Sequence, residues 1–340
     1  SSKTQAILLL TTHFTGKGSG AETHKPLTSR EWGRFAEWLH QQNRQPEDLL
    51  NRGLDSLLTG WQDKSITIER LQGLLNRGSA LALSLEKWTR GGLWVITRAE
   101  ADYPRRLKQR LRSDSPAVLF GCGNRALLNA GGLAVVGSRK VDEQALDYSR
   151  DVGLQAAGAN TNIVSGAAKG VDETAMLSVL DAGGCAVGVM ADSLLRASSS
   201  AKYRQFLLDD RLALVTPFNP ESGFNAGNAM QRNKYIYCLA DAALAVHSGQ
   251  KGGTWTGVQE NLRQRWVPMW VRETTSPEAG NSLLIKAGAM PAPASKNDID
   301  VPKLLAAELS APPASLELPG LSVAENAVTR DVAYFNKSNK

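Results

Sequence analysis

Between residues 133 and 271 the chain repeats one unit: a short unbroken apolar run, a turn, and a stretch with helical spacing. The runs fall at 133–136, 163–164, 186–190, 212–215, 242–246 and 266–271. Runs this short, apolar at every position and not at alternate ones, belong in strands covered on both faces. The stretches between them, at 143–157, 172–180, 228–239 and 256–265, are long enough to cross back over a sheet as helices. Six strands in that rhythm predict an α/β fold: a doubly wound, mostly parallel sheet with right-handed crossovers. Ligands bind such sheets beyond the carboxyl ends of the strands, so the loops after the runs are where function is expected.

The residues before this repeat read as a small helical domain. Thr28 and Glu31 stand three apart, as in a capping box, ahead of Trp32, Phe35, Ala36 and Leu39 on one helical face. Ile68, Leu71, Leu74 and Leu75 mark a second helix that stops near Gly78. Leu81, Leu85 and Trp88 mark a third, ending at Gly91-Gly92. The run Ala6-Ile7-Leu8-Leu9-Leu10 has no basic leader and no small-residue cleavage site, and is expected to be a core helix, not a signal peptide. Trp32, Trp38, Trp61 and Trp88 are expected in the core. The expected domains are helical at 1–92, connecting at 93–130, Rossmann-like at 131–292, and a Pro- and Ala-rich tail at 293–340 with at most one short helix.

Composition narrows the function. Thirty-nine Lys and Arg against 33 Asp and Glu leave a net charge of +6, compatible with a polyanionic partner without proving one. No apolar stretch approaches the ~18 residues of a membrane span, so no span is expected. Cys122, Cys185 and Cys238 have no paired spacing, and His13, His24, His40 and His247 are scattered. Buried free thiols in a reducing cytoplasm are therefore expected, with neither a metal nor any other cofactor.

Four loops carry the candidate residues. After the first run come Gly137, Ser138 and Arg139, a glycine turn with a forked cation suited to phosphate. It lacks the G-x-G-x-x-G dinucleotide fingerprint. After the second, Ser165, Gly166, Lys169 and Gly170 place a lysine between glycines, and Asp172 is expected to cap the following helix. No G-K-[ST] ending makes it a Walker loop, so a phosphate cradle without hydrolysis fits. Arg232, Asn233 and Lys234 stand near a helix start, where Asn233 can read a base edge or fix a loop. Gly253 and Thr254 follow the fifth run and can complete an anion-binding surface. Ser138 and Ser165 have no histidine nearby in sequence, no G-x-S-x-G elbow occurs, and the aspartates form no metal pattern, so no enzyme is expected.

At these loops the sequence resembles the DprA/Smf family of bacterial DNA-processing proteins. The likeness runs from Trp94-Val95-Ile96-Thr97, Tyr103-Pro104-Arg105-Arg106-Leu107 and Pro116-Ala117-Val118-Leu119-Phe120 through the four loops to Asn281-Ser282-Leu283-Leu284-Ile285, about residues 90–290. The resemblance implies a helical SAM-like domain ahead of a Rossmann-like domain whose basic pocket holds single-stranded DNA. By motif, Arg139, Lys169, Arg232 and Lys234 would contact phosphates, with Asn233 beside them. It also implies a homodimer, a RecA partner or a co-encoded defence protein, and a role in transformation, recombination or phage defence. The chain departs from the family pattern at Met176, where a histidine is usual, after Met190, where a glycine and a Tyr-Pro pair are missing, and at Trp255. The tail reads as too short and Pro-rich for the winged helix that many members carry, and none is expected in it. Phe218, Phe224 and Tyr235 are candidates to stack bases. The expected function is single-stranded-DNA binding without catalysis, as a recombination mediator or DNA sensor; the alternative is a sensor of a small phosphorylated nucleotide.

Overall fold

A computed structural model describes residues 1–14, 24–51, 53–276 and 278–309. The expected tail beyond residue 309 lies outside the described residues. Five helices come first: α1 (Ser2–Thr11), α2 (Ser29–Gln41), α3 (Leu54–Leu57), α4 (Ile68–Leu75) and α5 (Gly78–Arg90). The capping box expected at α2 is present: Glu31 N–H donates to Thr28 Oγ1 at 3.3 Å, and Thr28 N–H donates to Glu31 Oε2 at 2.8 Å. Ala6, Ile7, Leu8, Leu9 and Leu10 are all buried, so α1 is a core helix with no exposed apolar face. Trp32 and Trp88 are buried, and Trp38 and Trp61 are partly buried against Phe35.

The sheet has nine strands in the order β1-β2-β6-β5-β4-β3-β7-β8-β9. β1 (Trp94–Thr97) and β2 (Val118–Gly123) form an antiparallel extension; β2 pairs antiparallel with β6 (Leu212–Thr216). The rest is parallel: β3 (Leu133–Gly137), β4 (Ile163–Ser165), β5 (Ala186–Val189), β6, β7 (Ala242–His247), β8 (Met269–Arg272) and β9 (Met290–Ala292). All six expected strands are therefore present. Residues 93–130, expected only to connect, instead supply β1 and β2, with α6 (Arg105–Leu111) between them and α7 (Leu127–Ala130) after. The crossovers are α8 (Glu143–Gly158), α9 (Val171–Asp181), α10 (Leu194–Ser198) with α11 (Ala201–Leu208), α12 (Ala226–Leu239), α13 (Gly253–Gln264) and α14 (Asn281–Lys286). A last short helix, α15 (Val301–Leu305), buries Val301 and Leu304.

Strand alternation divides the core into two faces. Leu133 and Val135 point towards α8, α9 and the N-terminal helices, whereas Ala134 and Val136 point towards α6, α12 and α13. Trp88 of α5 meets Phe120 of β2 at 5.0 Å between ring centroids, so the helical region shares the first core with the sheet. Contact density groups Ser1–Leu309 as one unit.

Candidate functional site

β3 stands at the sheet's switch point. From it the chain winds outwards through β4, β5 and β6, then returns along α12 to place β7 on its other side. The loops after β3 and β7 leave this point together, and Ser138 N–H donates to His247 O at 3.0 Å across them. The loop after β4 presses on the first. Gly170 has φ +96°, and a Cβ there would lie 2.7 Å from Ser138 O and 2.8 Å from Arg139 O. Glycine is required on both counts. Lys169 thereby sits one residue from the Arg139 turn.

Asp172 holds this junction from inside. It was expected to cap α9, but Gly170 is the cap residue and Asp172 lies in the first turn. Its Oδ1 accepts the Gly137 N–H at 3.1 Å and its Oδ2 the Gly166 N–H at 3.2 Å. Arg232 lies beside it. This residue was expected to meet phosphate at the surface; it is only 4% exposed, and its Nη1 donates to Val189 O at 2.7 Å. A Cβ on Gly166 would strike both Arg232 Nη1 and Asp172 Oδ2, so the missing side chain is what admits the pair. Burial pushes the Asp172 carboxyl up to about 6, against the pull of Arg232 and the two amides, and burial pulls Arg232 down. Ser165 is buried as well, donating from Oγ to Val135 O.

Other candidates face outwards. Arg139 and Lys169 are exposed, and neither is in an ion pair among the described residues. The Arg139 guanidinium stands 4.8 Å from the ring centroid of Phe224, which is 60% exposed. Tyr235 is buried and Phe218 half-buried, so Phe224 is the most open of the three aromatic candidates. Lys234 does not join Arg139: it lies over the Tyr235 ring and lines a separate cavity of about 750 Å³ with Arg30 and Asp114. Asn233 fixes a loop, its Nδ2 donating to Gly253 O at 2.9 Å. Gly253 and Thr254 form the first turn of α13, which begins three residues earlier than expected.

Two contributors escaped sequence reasoning. His247 Nδ1 stands 3.1 Å from Ser138 Oγ, although 109 residues separate them in the chain. Burial holds this imidazole below its ordinary range. Buried Asn281 accepts the Ser248 N–H at 2.8 Å and donates to Val246 O at 3.1 Å and Arg272 O at 2.7 Å, bracing the end of β7. Its side chain does for the loop what a strand neighbour would do. Met176 is fully buried in the core under β5, and no group of metal-ligating side chains occurs among the described residues. Cys122 and Cys238 are buried, while Cys185 is partly exposed; all three are free thiols. The arrangement thus offers a surface carrying cations above a junction locked by an internal carboxylate.

Fold and site together define a Rossmann-like α/β protein with a cationic rim at the switch point of its sheet. The chain belongs to the family of DNA recombination-mediator protein A, whose family model matches residues 94–301 and so takes in every loop just described. It is 27% identical over 205 residues to the DNA processing protein DprA of Bacillus subtilis (strain 168), covering 58% of this chain and 67% of that protein. Its identity to DprA of Streptococcus pneumoniae (strain ATCC BAA-255 / R6) is 28% over 143 residues, 42% of this chain and 50% of the relative. To protein Smf of Escherichia coli (strain K12) it is 29% over 144 residues, 42% of this chain and 38% of the relative. The matched segment thus spans half or less of the last two proteins. The X-ray structure of the pneumococcal DprA has the same fold, with a TM-score of 0.64 at 19% identity over 80% of this chain and 92% of that one.

Proposed function

We propose that this protein binds single-stranded DNA through the rim formed by Arg139 and Lys169, and acts without catalysis as a recombination mediator or DNA sensor. The observation that carries the reading is the internal carboxylate. Asp172 takes the Gly137 and Gly166 amides, two donors that a small phosphate ligand would use at a switch point. The anion must then be met by outward side chains, which suits an extended backbone more than a mononucleotide. Phe224, open beside Arg139, supplies a face for a base. Family membership points the same way.

The test is a shift assay comparing single-stranded with duplex DNA of equal length, repeated with Arg139→Ala and Lys169→Ala. Each substitution is expected to weaken single-strand binding by ~1–3 kcal/mol while leaving the melting temperature unchanged. Unchanged affinity in both would remove the rim. A flat salt response with tight mononucleotide binding would favour the small-ligand sensor instead.

The resemblance also supports a homodimer, cytoplasmic and partnered by RecA or a co-encoded defence protein, and a boundary between helical and sheet domains near residue 92. Among the described residues no helix is long and apolar enough to cross a membrane.

A further inference from the structure

The helical region holds a cavity of its own, remote in sequence from the switch-point loops. It has a volume of about 400 Å³ and lies between α1, α2, the turn before Pro46 and the loop from β1 into α6. Half-buried Ala36 and the small exposed edges of the otherwise buried Ile7, Trp32 and Pro46 give it an apolar lining. Lys3, Arg44, Arg98 and Lys108 surround that lining, against the single carboxylate of Glu37. None of these four cations is in an ion pair among the described residues. Lys3 Nζ donates to the neutral Gln45 Oε1 at 3.2 Å, and the Arg44 guanidinium lies over the Trp38 ring at 6.0 Å. Arg44 Nη1 is shut off from solvent with no acceptor. A buried donor left without a partner is destabilising, and like charges gathered round one cavity repel one another. A bound anion relieves both.

The size fits a small molecule, since such sites commonly enclose ~300–1,000 Å³. The chemistry asks for two parts: several negative charges to meet the cations, and a flat apolar body for the lining. We propose that this cavity is a second binding site, taking a nucleoside diphosphate with its phosphates among Arg44, Arg98, Lys3 and Lys108 and its base against Trp32 and Pro46. The proposal stands apart from DNA binding at the rim, because it uses none of the same residues.

Isothermal titration of the full chain with ADP tests it, with adenosine and pyrophosphate as separate arms. ADP is expected to bind at one site, more tightly than either fragment. Arg98→Gln and Arg44→Gln should each weaken it by about tenfold or more, the size of a lost charge-assisted hydrogen bond. Arg98 is read first because it is not a core residue; a thermal melt matching the parent separates lost binding from lost folding. Arg139→Ala should leave ADP affinity unchanged while weakening oligonucleotide binding. No ADP heat in the folded parent overturns the proposal. So does binding that survives the Arg44→Gln, Arg98→Gln double variant, or that disappears in Arg139→Ala and so belongs to the rim. Silence towards ADP combined with binding of a glutamate-rich peptide would make the cavity a protein-docking surface and end the nucleotide assignment.

Discussion

Two arginines in the candidate site stand in opposite environments, one at the surface and one buried. Arg139 is exposed beside Phe224, whereas Arg232 is enclosed between Val189 O and Asp172. Removing Arg232 would leave the Asp172 carboxylate buried without its cation. Arg232→Ala is therefore expected to cost about 3–5 kcal/mol of stability, read as a large fall in melting temperature, where Arg139→Ala leaves melting unchanged. Asp172 gives a second test through pH. Its carboxyl rises from 3.8 to about 6 on folding, so the folded state holds the proton more tightly than the unfolded one. The stability it contributes is fully present below pH ~4 and falls as pH climbs to ~6. Denaturation of the parent and of Asp172→Asn across that window should show the parent losing stability relative to the variant. A difference running the other way would mean that Arg232 and the amides outweigh burial. Sequence alone marked both arginines as cations near loops. It could not tell them apart, because the distinction depends on α12 turning Arg232 inwards while the loop after β3 leaves Arg139 at the surface.

The secondary-structure elements were legible to the degree that their apolar pattern and bounding turns are local. The parallel strands read clearly because each is apolar on both faces and bounded by a turn. β1 and β2 did not, since β2 carries Gly121 and Gly123 and both strands pair antiparallel outside the repeating strand–helix unit. Packing supplies what pattern lacks: Trp94 Nε1 donates to Gly123 O at 2.9 Å, fastening one strand to the other. The end of α12 is held similarly. Arg110 Nη1 of α6 donates to the carbonyls of Cys238 at 3.0 Å and Ala240 at 2.6 Å, groups a helix terminus leaves unpaired. Arg110→Met should destabilise the fold by about 1–3 kcal/mol, measured by urea denaturation, with little effect on the rim's anion affinity. At Gly170 the two loops touch backbone to backbone. Gly170→Ala should cost of order 1–3 kcal/mol, from its positive φ and the nearby carbonyls, and should weaken oligonucleotide binding by parting Lys169 from Arg139.

At the scale of the molecule, one core runs from the N-terminal helices into the sheet. Ile7, Phe35 and Trp88 belong to the same cluster as Phe120, Leu133 and Leu214. A truncated chain starting at residue 93 would expose Val118 and Phe120, and is expected to bind a hydrophobic dye and lose its cooperative melt. A sharp melt in that fragment would show that the sheet folds alone. The net charge of +6 contributes at long range, but affinity should depend on the local rim. The slope of log K against log salt should fall by about one on losing either Arg139 or Lys169. By itself the sequence determined the α/β class, the six parallel strands and the loops at their carboxyl ends, because apolar periodicity and turn chemistry are local properties written along the chain. Tertiary structure alone decided that Arg232 faces the interior, that Asp172 fills the cradle, that His247 meets Ser138 and that β1 and β2 join the sheet. Those outcomes depend on burial and on contacts between distant residues, which no stretch of sequence contains.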